Sequence, residues 1–239
     1  MVQDEKKNEF DPRWVRIVEA TRVLFLHYGY DHTSMKAIAD QARVSKATLY
    51  TYWSAKPDLF NSLILWESLR TFDDWLRRVE SDLEGEKIGH VLAHGMAAVS
   101  ANGVLRVLYS RDVQTLGDLL RERGTQLTTQ RYNTGLDLIK ILQKTGLVRT
   151  DLPAEHISYI LTVISVGLVT VGELYDPTHF PDFDALATSL GEIIQSALEP
   201  PEGKSSGENK SIMLEHLKRQ RQATLEALFS IYQSAEGDH

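Results

Sequence analysis

The chain has 239 residues, 42% of them hydrophobic, with a formal net charge of −7 and no cysteine. This length allows one large domain or two smaller ones. The lack of cysteine excludes disulfide bonds and thiolate metal sites, and it fits a reducing cytoplasm. The charged N-terminal segment MVQDEKKNEF does not resemble a signal peptide, and the most apolar run, residues 157–171, is too short to predict a membrane span.

Apolar residues recur at helical spacing almost throughout the chain, and no run alternates with a period of two. The sequence therefore predicts an all-α fold. Residues 1–11 form a polar arm that we expect to be disordered. Pro12 suits the first turn of a helix, and Gly29 suits the end of the same helix.

Two short helices joined by a tight turn are predicted next. Thr33 or Ser34 is placed to cap the first of them. After a turn at Arg43–Val44, Ser45 caps the second, which continues through Tyr52 and carries hydroxyls, a lysine and aromatic rings. This is the layout of a helix-turn-helix, whose second helix enters the major groove of DNA.

The remainder is predicted to be a larger helical part. Pro57 opens a fourth helix that runs to about Glu84, and Gly85 breaks it. Further helices are predicted at 87–100, 103–120, 124–146, 153–175 and 182–198, with Gly124 among the breaks, and a last amphipathic helix at 211–233. The predicted division is a helix-turn-helix domain at 12–56, a larger domain at 57–199, a linker at 200–210 and an additional C-terminal helix at 211–234.

The motif residues, in chain order, are Tyr28-Gly29-Tyr30, Thr33-Ser34-Met35, Ile38-Ala39, Ala42, Val44-Ser45, Thr48-Leu49-Tyr50, Tyr52-Trp53, Lys56 and Leu59. This pattern resembles the DNA-binding domain of TetR-family transcriptional repressors, and the resemblance extends from Ile17 to Leu65. The rest of the chain resembles these regulators only in being helical and of suitable length. Two positions depart from the family pattern: Arg43 lies where Gly is frequent, and Ala47 where Gly or Pro is common.

The start of the third helix is where a helix-turn-helix makes its base contacts. Lys46 is placed to donate to guanine, and Thr48 to a base or a phosphate. Residues 33–56 hold four Lys or Arg and one Asp, which favours phosphate contacts there although the whole chain is acidic.

Together with the resemblance, this predicts DNA contacts from Thr33, Ser34, Lys36, Arg43, Ser45, Lys46, Ala47, Thr48, Tyr50, Thr51, Tyr52 and Lys56. The alternatives are plain helix caps at 33 and 34, solvated lysines at 36 and 56, and a core position for one of the tyrosines at 50 and 52.

Such a small DNA-reading domain usually dimerises on two half-sites, and the resemblance implies a four-helix interface. The predicted interface residues are Ile157, Ile160, Leu161, Ile164, Leu168 and Val171 in one helix and Leu186, Leu190, Ile193 and Ile194 in the next. The alternative is that both helices are buried within one subunit.

The C-terminal helix has three possible packing partners: the body of its own subunit, the other subunit or another protein. We favour packing within the dimer.

The resemblance also implies that the larger domain encloses a pocket for an inducer. Candidate lining residues are Trp66, Trp75, His94, Arg106, Tyr109, Tyr132 and Glu173. His94 and Arg106 are the main candidates for a ligand contact, because a polar group in an apolar stretch needs a partner. The ligand class expected of such a cavity is a largely apolar molecule with one polar anchor.

An enzyme is disfavoured because the motifs HExxH, a phosphate-binding glycine loop and Gly-x-Ser-x-Gly are missing. The histidines are expected to be scattered, with no i,i+4 pair for a metal, and no cofactor is predicted.

The function predicted is a cytoplasmic, ligand-responsive repressor that binds a palindromic DNA operator as a homodimer and has no membrane partner. The alternative is a helical protein-interaction module without specific DNA binding.

Overall fold

The computed structural model describes residues 10–85, 87–110, 113–174, 182–200 and 208–236. Within these ranges the chain is helical and contains no strand, which confirms the predicted all-α class. The helices are α1 (Pro12–His32), α2 (Met35–Ala42), α3 (Lys46–Tyr50), α4 (Lys56–Ser81), α5 (Ile88–Ala101), α6 (Gly103–Ser110), α7 (Val113–Leu116), α8 (Asp118–Lys144), α9 (Ala154–Leu174), α10 (Phe183–Leu198) and α11 (Glu208–Glu236).

Local signals account for the ends of the first helices. The side chain of Asp11 caps α1 by accepting a hydrogen bond from the backbone N–H of Arg13, and Pro12 lies in the first turn. Gly29 interrupts the regular helix with a φ of 75° and a ψ of 175°, a conformation that glycine adopts without a steric penalty. The predicted start of α1 is therefore confirmed, whereas Gly29 marks a kink and the helix ends three residues later at His32.

The segment predicted as one helix at 103–120 is divided between α6, α7 and the start of α8. The break precedes Asp118, whose backbone N–H donates to the carboxylate of Asp31, and Gly117 there has a φ of 47°. The predicted break at Gly124 is wrong, because α8 continues through it. A single glycine costs a helix only about 1 kcal/mol, which a long packed helix tolerates.

Buried side chains form two hydrophobic clusters, both of which include residues of α4. The first cluster contains Trp14, Ile17, Phe25, Ile38, Leu49, Trp53, Leu59, Leu63, Leu116, Leu228 and Tyr232, among others. The second cluster contains Leu76, Val79, Ile88, Val91, Leu142, Ile157, Ile194, Leu198, Met213 and Leu217, among others. Helix α11 contributes to both clusters by packing along α4, so it lies on the body of its own chain.

In the described residues no single helix is long and apolar enough to cross a membrane. The two helices α5 and α6 reach that length and apolarity only when taken together, and they are bent by 106° relative to each other.

Helices α5 and α10 cross at a pair of glycines. A Cβ atom on Gly89 would lie 2.0 Å from the carbonyl oxygen of Gly191, and one on Gly191 would lie 2.6 Å from the carbonyl oxygen of Gly89. These distances are far below van der Waals contact, so the two backbones touch here. The position of α10 against the second cluster therefore depends on both glycines.

We expect Gly89→Ala to destabilise the protein by about 1–3 kcal/mol, because the methyl group forces α5 and α10 apart. Gly135→Ala in α8 is the matched control: its Cβ would meet only the hydroxyl of Ser158 at 3.6 Å, and alanine favours a helix by about 1 kcal/mol over glycine. Chemical denaturation measures both. Equal stabilities for the two variants would contradict the close crossing.

Candidate functional site

Helices α2 and α3 and the turn between them are shaped by two caps and one strained residue. Ser34 caps α2 by accepting from the N–H of Ala37 at 3.1 Å, and Ser45 caps α3 by accepting from the N–H of Thr48 at 3.0 Å. Between the helices Arg43 has a φ of 56° and a ψ of 47°, the left-handed conformation that glycine would adopt at lower cost. Arg43 is the only non-glycine residue with positive φ in the described ranges.

Leu49 faces inward from α3 with 0% of its surface exposed, which decides the face that α3 presents to solvent. Ser45, Lys46 and Ala47 are exposed, and Tyr50 is 49% exposed. The hydroxyls of Ser45 and Thr48 lie 2.8 Å apart, so they hydrogen-bond each other. The outward surface of α3 thus combines a lysine, hydroxyls and an aromatic ring.

Three cations lie on the same helix-turn-helix unit as this surface. Lys36, Arg43 and Lys46 are exposed, and none of them enters an ion pair among the described residues. Many other basic side chains are paired with acids, as Arg70 is with Glu19. Cations without partners are the groups that exchange counterions for phosphates.

Three of the predicted contact residues donate hydrogen bonds to backbone carbonyls of the protein itself. Thr33 is 1% exposed and donates to the carbonyl of Gly29, so its hydroxyl holds the loop rather than facing solvent. Thr51 donates to the carbonyl of Thr48. Lys56 donates to the carbonyl of Tyr30, and its ammonium group lies 4.0 Å from the centre of the Tyr30 ring.

Tyr52 turns away from the exposed face of α3. Its hydroxyl donates to Asp11 at 2.7 Å, and its ring stacks on Tyr232 of α11 at 6.3 Å between centroids. Burial raises the pKa of Tyr52 to about 12, and the hydrogen bond to Asp11 adds to this shift. The pKa of Asp11 is lowered to about 2, mainly by the hydrogen bond from the side chain of Arg13. Of the two predicted tyrosines, Tyr50 is the one that faces solvent. The sequence could not reveal this, because Tyr232 is remote in the chain.

Among the described side chains, His94 is the predicted ligand-contacting residue that lines the cavity between α4, α5 and α10. Trp66 packs edge-on against Trp14 in the first cluster. The indole N–H of Trp75 donates a hydrogen bond to the carbonyl of Val91 in α5. Arg106 is exposed, contrary to the expectation of a buried polar anchor. The remaining candidates are Tyr109 and Tyr132, which are half-buried, and Glu173, whose side chain lies outside the described residues.

His94 is the exception, because it lines a cavity of about 390 Å³ between α4, α5 and α10. The lining residues are Arg78, Ser81, Asp82, His90, Ala93, His94 and Thr188. The Oδ2 atom of Asp82 lies 2.9 Å from Nδ1 of His90 and 2.8 Å from Nε2 of His94. Burial raises the pKa of Asp82, but bonds from the backbone of Glu84 and from both imidazoles outweigh it and lower that pKa to about 2.

His90 and His94 are an i,i+4 pair on α5, so the expectation that no histidines are so spaced is wrong. This spacing and the nearby acids were visible in the sequence. In the described part of the chain, however, no group of three or more His, Asp or Glu side chains is arranged to hold a metal ion. The histidines serve as hydrogen-bonding partners of Asp82.

A buried carboxylate connects α1, α4 and the start of α6. Glu67 of α4 is 1% exposed. Its Oε1 atom forms an ion pair with Nε of Arg22 in α1 at 3.2 Å, although the angle is not that of a hydrogen bond. Its other oxygen accepts from Nδ2 of Asn102 at 2.7 Å. The Oδ1 atom of Asn102 in turn accepts from the N–H groups of Val104 and Leu105 and so caps α6. These residues were not singled out from the sequence.

Helices α9 and α10 each divide their apolar residues between the second cluster and solvent. Ile157 and Ile194 are buried in the second cluster, so their assignment to a face exposed for dimerisation is wrong. Ile160 and Ile193 are 54% and 65% exposed, and Val171 is also exposed. The half-buried predicted residues are Leu161, Ile164, Leu168, Leu186 and Leu190. Tyr159 and Val163 are exposed as well, although they were not predicted.

Comparison with known proteins agrees with this geometry. Residues 17–63 match the model of the family described as bacterial regulatory proteins, tetR family. The chain is 32% identical over 204 residues to the HTH-type transcriptional regulator UidR of Escherichia coli K12, covering 82% of this chain and 100% of UidR.

Solved structures share the fold at lower identity. The transcriptional regulator FadR from Bacillus subtilis, crystallised in complex with stearoyl-CoA, has a TM-score of 0.59 and 17% identity, covering 77% of this chain and 98% of FadR. AibR, crystallised with isovaleryl coenzyme A and operator DNA, has a TM-score of 0.52 and 18% identity, covering 77% of this chain and 98% of AibR.

We expect Arg43→Gly to raise the stability of the protein and, at the same time, to weaken its binding to DNA. The left-handed conformation is strained for arginine, so glycine should raise the free energy of unfolding by up to about 1 kcal/mol. The same change removes an exposed cation, and the slope of log affinity against log salt should fall by about 1 if Arg43 contacts a phosphate. Arg43→Lys keeps both the charge and the strain and serves as the control. A less stable Arg43→Gly variant would contradict the strain argument.

Proposed function

Because this chain belongs to the TetR family of bacterial regulatory proteins, we propose that it is a dimeric repressor that binds a palindromic operator and is released by a small, largely apolar molecule. The coarser function, a ligand-responsive DNA-binding regulator of transcription, follows from the family. The observation that carries the proposal is the outward face of α3 with its adjoining unpaired cations. On this proposal the protein acts in the bacterial cytoplasm.

The DNA-facing residues we propose are those that the fold leaves exposed around α3. Lys46 and Tyr50 are exposed at the start and end of the helix, and Ser34, Lys36 and Arg43 are exposed at the start of α2 and in the turn between the two helices. Lysine donates to guanine O6 and N7 or to phosphate, and tyrosine hydroxyls bind phosphates. Thr33, Thr51, Tyr52 and Lys56 then act by holding the unit in shape.

Dimerisation is supported by the apolar surface on α9. Ile160, Val163 and Val171 share one face with Gly167, where an added Cβ would meet nothing within 4 Å. Exposed apolar stripes of this kind mark association surfaces. Together with Ile193 on α10 they form the interface we propose, which would hold two copies of α3 at the spacing of successive major grooves.

Ligand response requires that the ligand favour one of two conformations. FadR was crystallised with stearoyl-CoA and AibR with isovaleryl coenzyme A. Both molecules carry an apolar acyl group, and this group is the part of their chemistry that corresponds to the largely apolar ligand we propose here. The cavity beside His94 offers polar anchoring groups near the end of α4. Movement of α4 would then reach α1 through Glu67 and Arg22.

The alternative is a helical protein-interaction module in which the helix-turn-helix serves packing alone. That alternative predicts no salt-dependent affinity for DNA, whereas the repressor must lose affinity steeply as salt rises. The exposed Lys36, Arg43 and Lys46 favour the repressor.

We expect the double variant Lys46→Ala, Tyr50→Ala to lose at least about tenfold in operator affinity, because both side chains face the DNA. The wild type first selects its site from sequenced genomic fragments, and fluorescence anisotropy then measures affinity for that site. Lys140→Ala, which removes a lysine paired with Glu155 on the far helices, is the control and should bind like the wild type. Equal affinity of the double variant at low salt would move the interaction-module alternative to first place.

We expect Ile193→Asp to give a monomer at micromolar concentration and to weaken operator binding by about tenfold or more, because a carboxylate is buried at the interface. Analytical ultracentrifugation reports the mass. Leu83→Asp, at a position that is 95% exposed after α4, is the matched control and should stay dimeric. A dimeric Ile193→Asp variant with unchanged affinity would refute the proposed interface.

A further inference from the structure

Helix α11 contacts both hydrophobic clusters from one side of α4. Its N-terminal half inserts Met213 and Leu217 into the second cluster, and its C-terminal half inserts Leu228 and Tyr232 into the first. A helix of 29 residues is about 43 Å long, so a single rigid element spans both parts of the protein. UidR is matched over 100% of its length by only 82% of this chain, so part of this chain has no counterpart there.

Polar contacts hold α11 against the C-terminal half of α4, which contributes to the second cluster. Lys210 donates to the carbonyl groups of Glu80 and Asp82 at 3.0 and 2.7 Å, which satisfies carbonyls at the C-terminal end of α4. Arg221 donates to Asp73 at 2.5 Å. Exposed ion pairs add little stability, about 0–1 kcal/mol each, but they define where α11 sits along α4.

The other end of α11 contacts the segment that follows the DNA-reading helix. Tyr232 is 7% exposed, and its ring stacks on the ring of Tyr52 with an interplanar angle of 17°. Its hydroxyl accepts from the N–H of Asp11 at 3.4 Å, and the carboxylate of Asp11 accepts from the hydroxyl of Tyr52 at 2.7 Å. Phe10 packs against Phe229 and Tyr232, so the start of α1 is held by the same helix.

We propose that α11 sets the angle between the DNA-reading helices and the body, with Tyr232 as the residue that positions α3. Any rotation of α1–α3 about α4 must separate Tyr232 from Tyr52 or Arg221 from Asp73. The dimer therefore tolerates only a narrow range of distances between operator half-sites. This inference rests on the proposed function, because it requires two half-sites bound by one dimer.

The experiment measures operator spacing with full-length protein. Two copies of the selected half-site are separated by the preferred spacing and by spacings one or two base pairs longer or shorter. For each protein the readout is the ratio of the affinities at preferred and altered spacing. We expect Tyr232→Ala to reduce this ratio about five- to tenfold, the size of coupling between contacting residues. Tyr232→Phe keeps the stacked ring and should recover most of the discrimination.

Arg221→Gln tests the opposite end of α11 without removing a buried group, and it should reduce the ratio in the same direction. Arg219→Gln is its control, because Arg219 pairs only with Glu215 of α11 among the described ion pairs. Circular dichroism and thermal melting verify the fold of each variant. If Tyr232→Ala and Arg221→Gln lower only the melting temperature and keep the wild-type spacing ratio, α11 is a stabilising element alone and the inference is wrong.

The wild type separates this failure from failure of the proposed function. A wild type that binds no DNA, or that binds single half-sites as tightly as paired ones, contradicts the dimeric repressor and the inference with it. A wild type with a sharp spacing optimum that the variants share contradicts only the role of α11.

Discussion

The structure depends on one helix, α4, being part of both hydrophobic clusters. Leu59 and Leu63 are buried in the first cluster, and Leu76 and Val79 are buried in the second. Packed interiors are dense and do not deform continuously, so a displacement of α4 in one cluster must be accommodated in the other. The buried Glu67 lies in the part of α4 that belongs to the first cluster, and its partners include an arginine of α1 and an asparagine before α6. A change at either end of α4 therefore has a direct physical route to the other.

Helix α3 has only five residues, and an isolated helix of that length would not persist in water. Its conformation depends on the Ser45 cap, on the complete burial of Leu49 and on the turn that holds Arg43 in a strained conformation. The exposed surface of α3 is consequently a product of inward contacts. On the proposed function, core substitutions beneath α3 would change DNA recognition without altering an exposed residue.

A net charge of −7 is compatible with DNA binding because the relevant charge is local. Exposed charges farther apart than about 10 Å are largely screened at moderate salt. Lys36, Arg43 and Lys46 are exposed on the helix-turn-helix, whereas acids of the body such as Asp74 and Glu80 are paired with basic side chains. The acidic body lowers affinity most at low ionic strength, where screening is weakest.

The sequence by itself determined the helical class, most helix ends and the position of the helix-turn-helix. Pro12, Gly29, Ser34 and Ser45 act through torsional preferences and hydrogen bonds that reach only a few residues, so their effects are local. The sequence did not determine the break at Gly117. There the chain leaves the helical conformation where Asp118 bonds to Asp31 at the end of α1.

Tertiary structure alone decided which side chains face outward. Tyr52 belongs to the same motif as Tyr50, yet it bonds to Asp11 and stacks on Tyr232, residues 41 and 180 positions away. Ile193 and Ile194 are equally apolar neighbours, but one is exposed and the other is buried against α5 and the second cluster. A local pattern cannot distinguish these cases, because the partner that covers a side chain comes from a remote part of the chain.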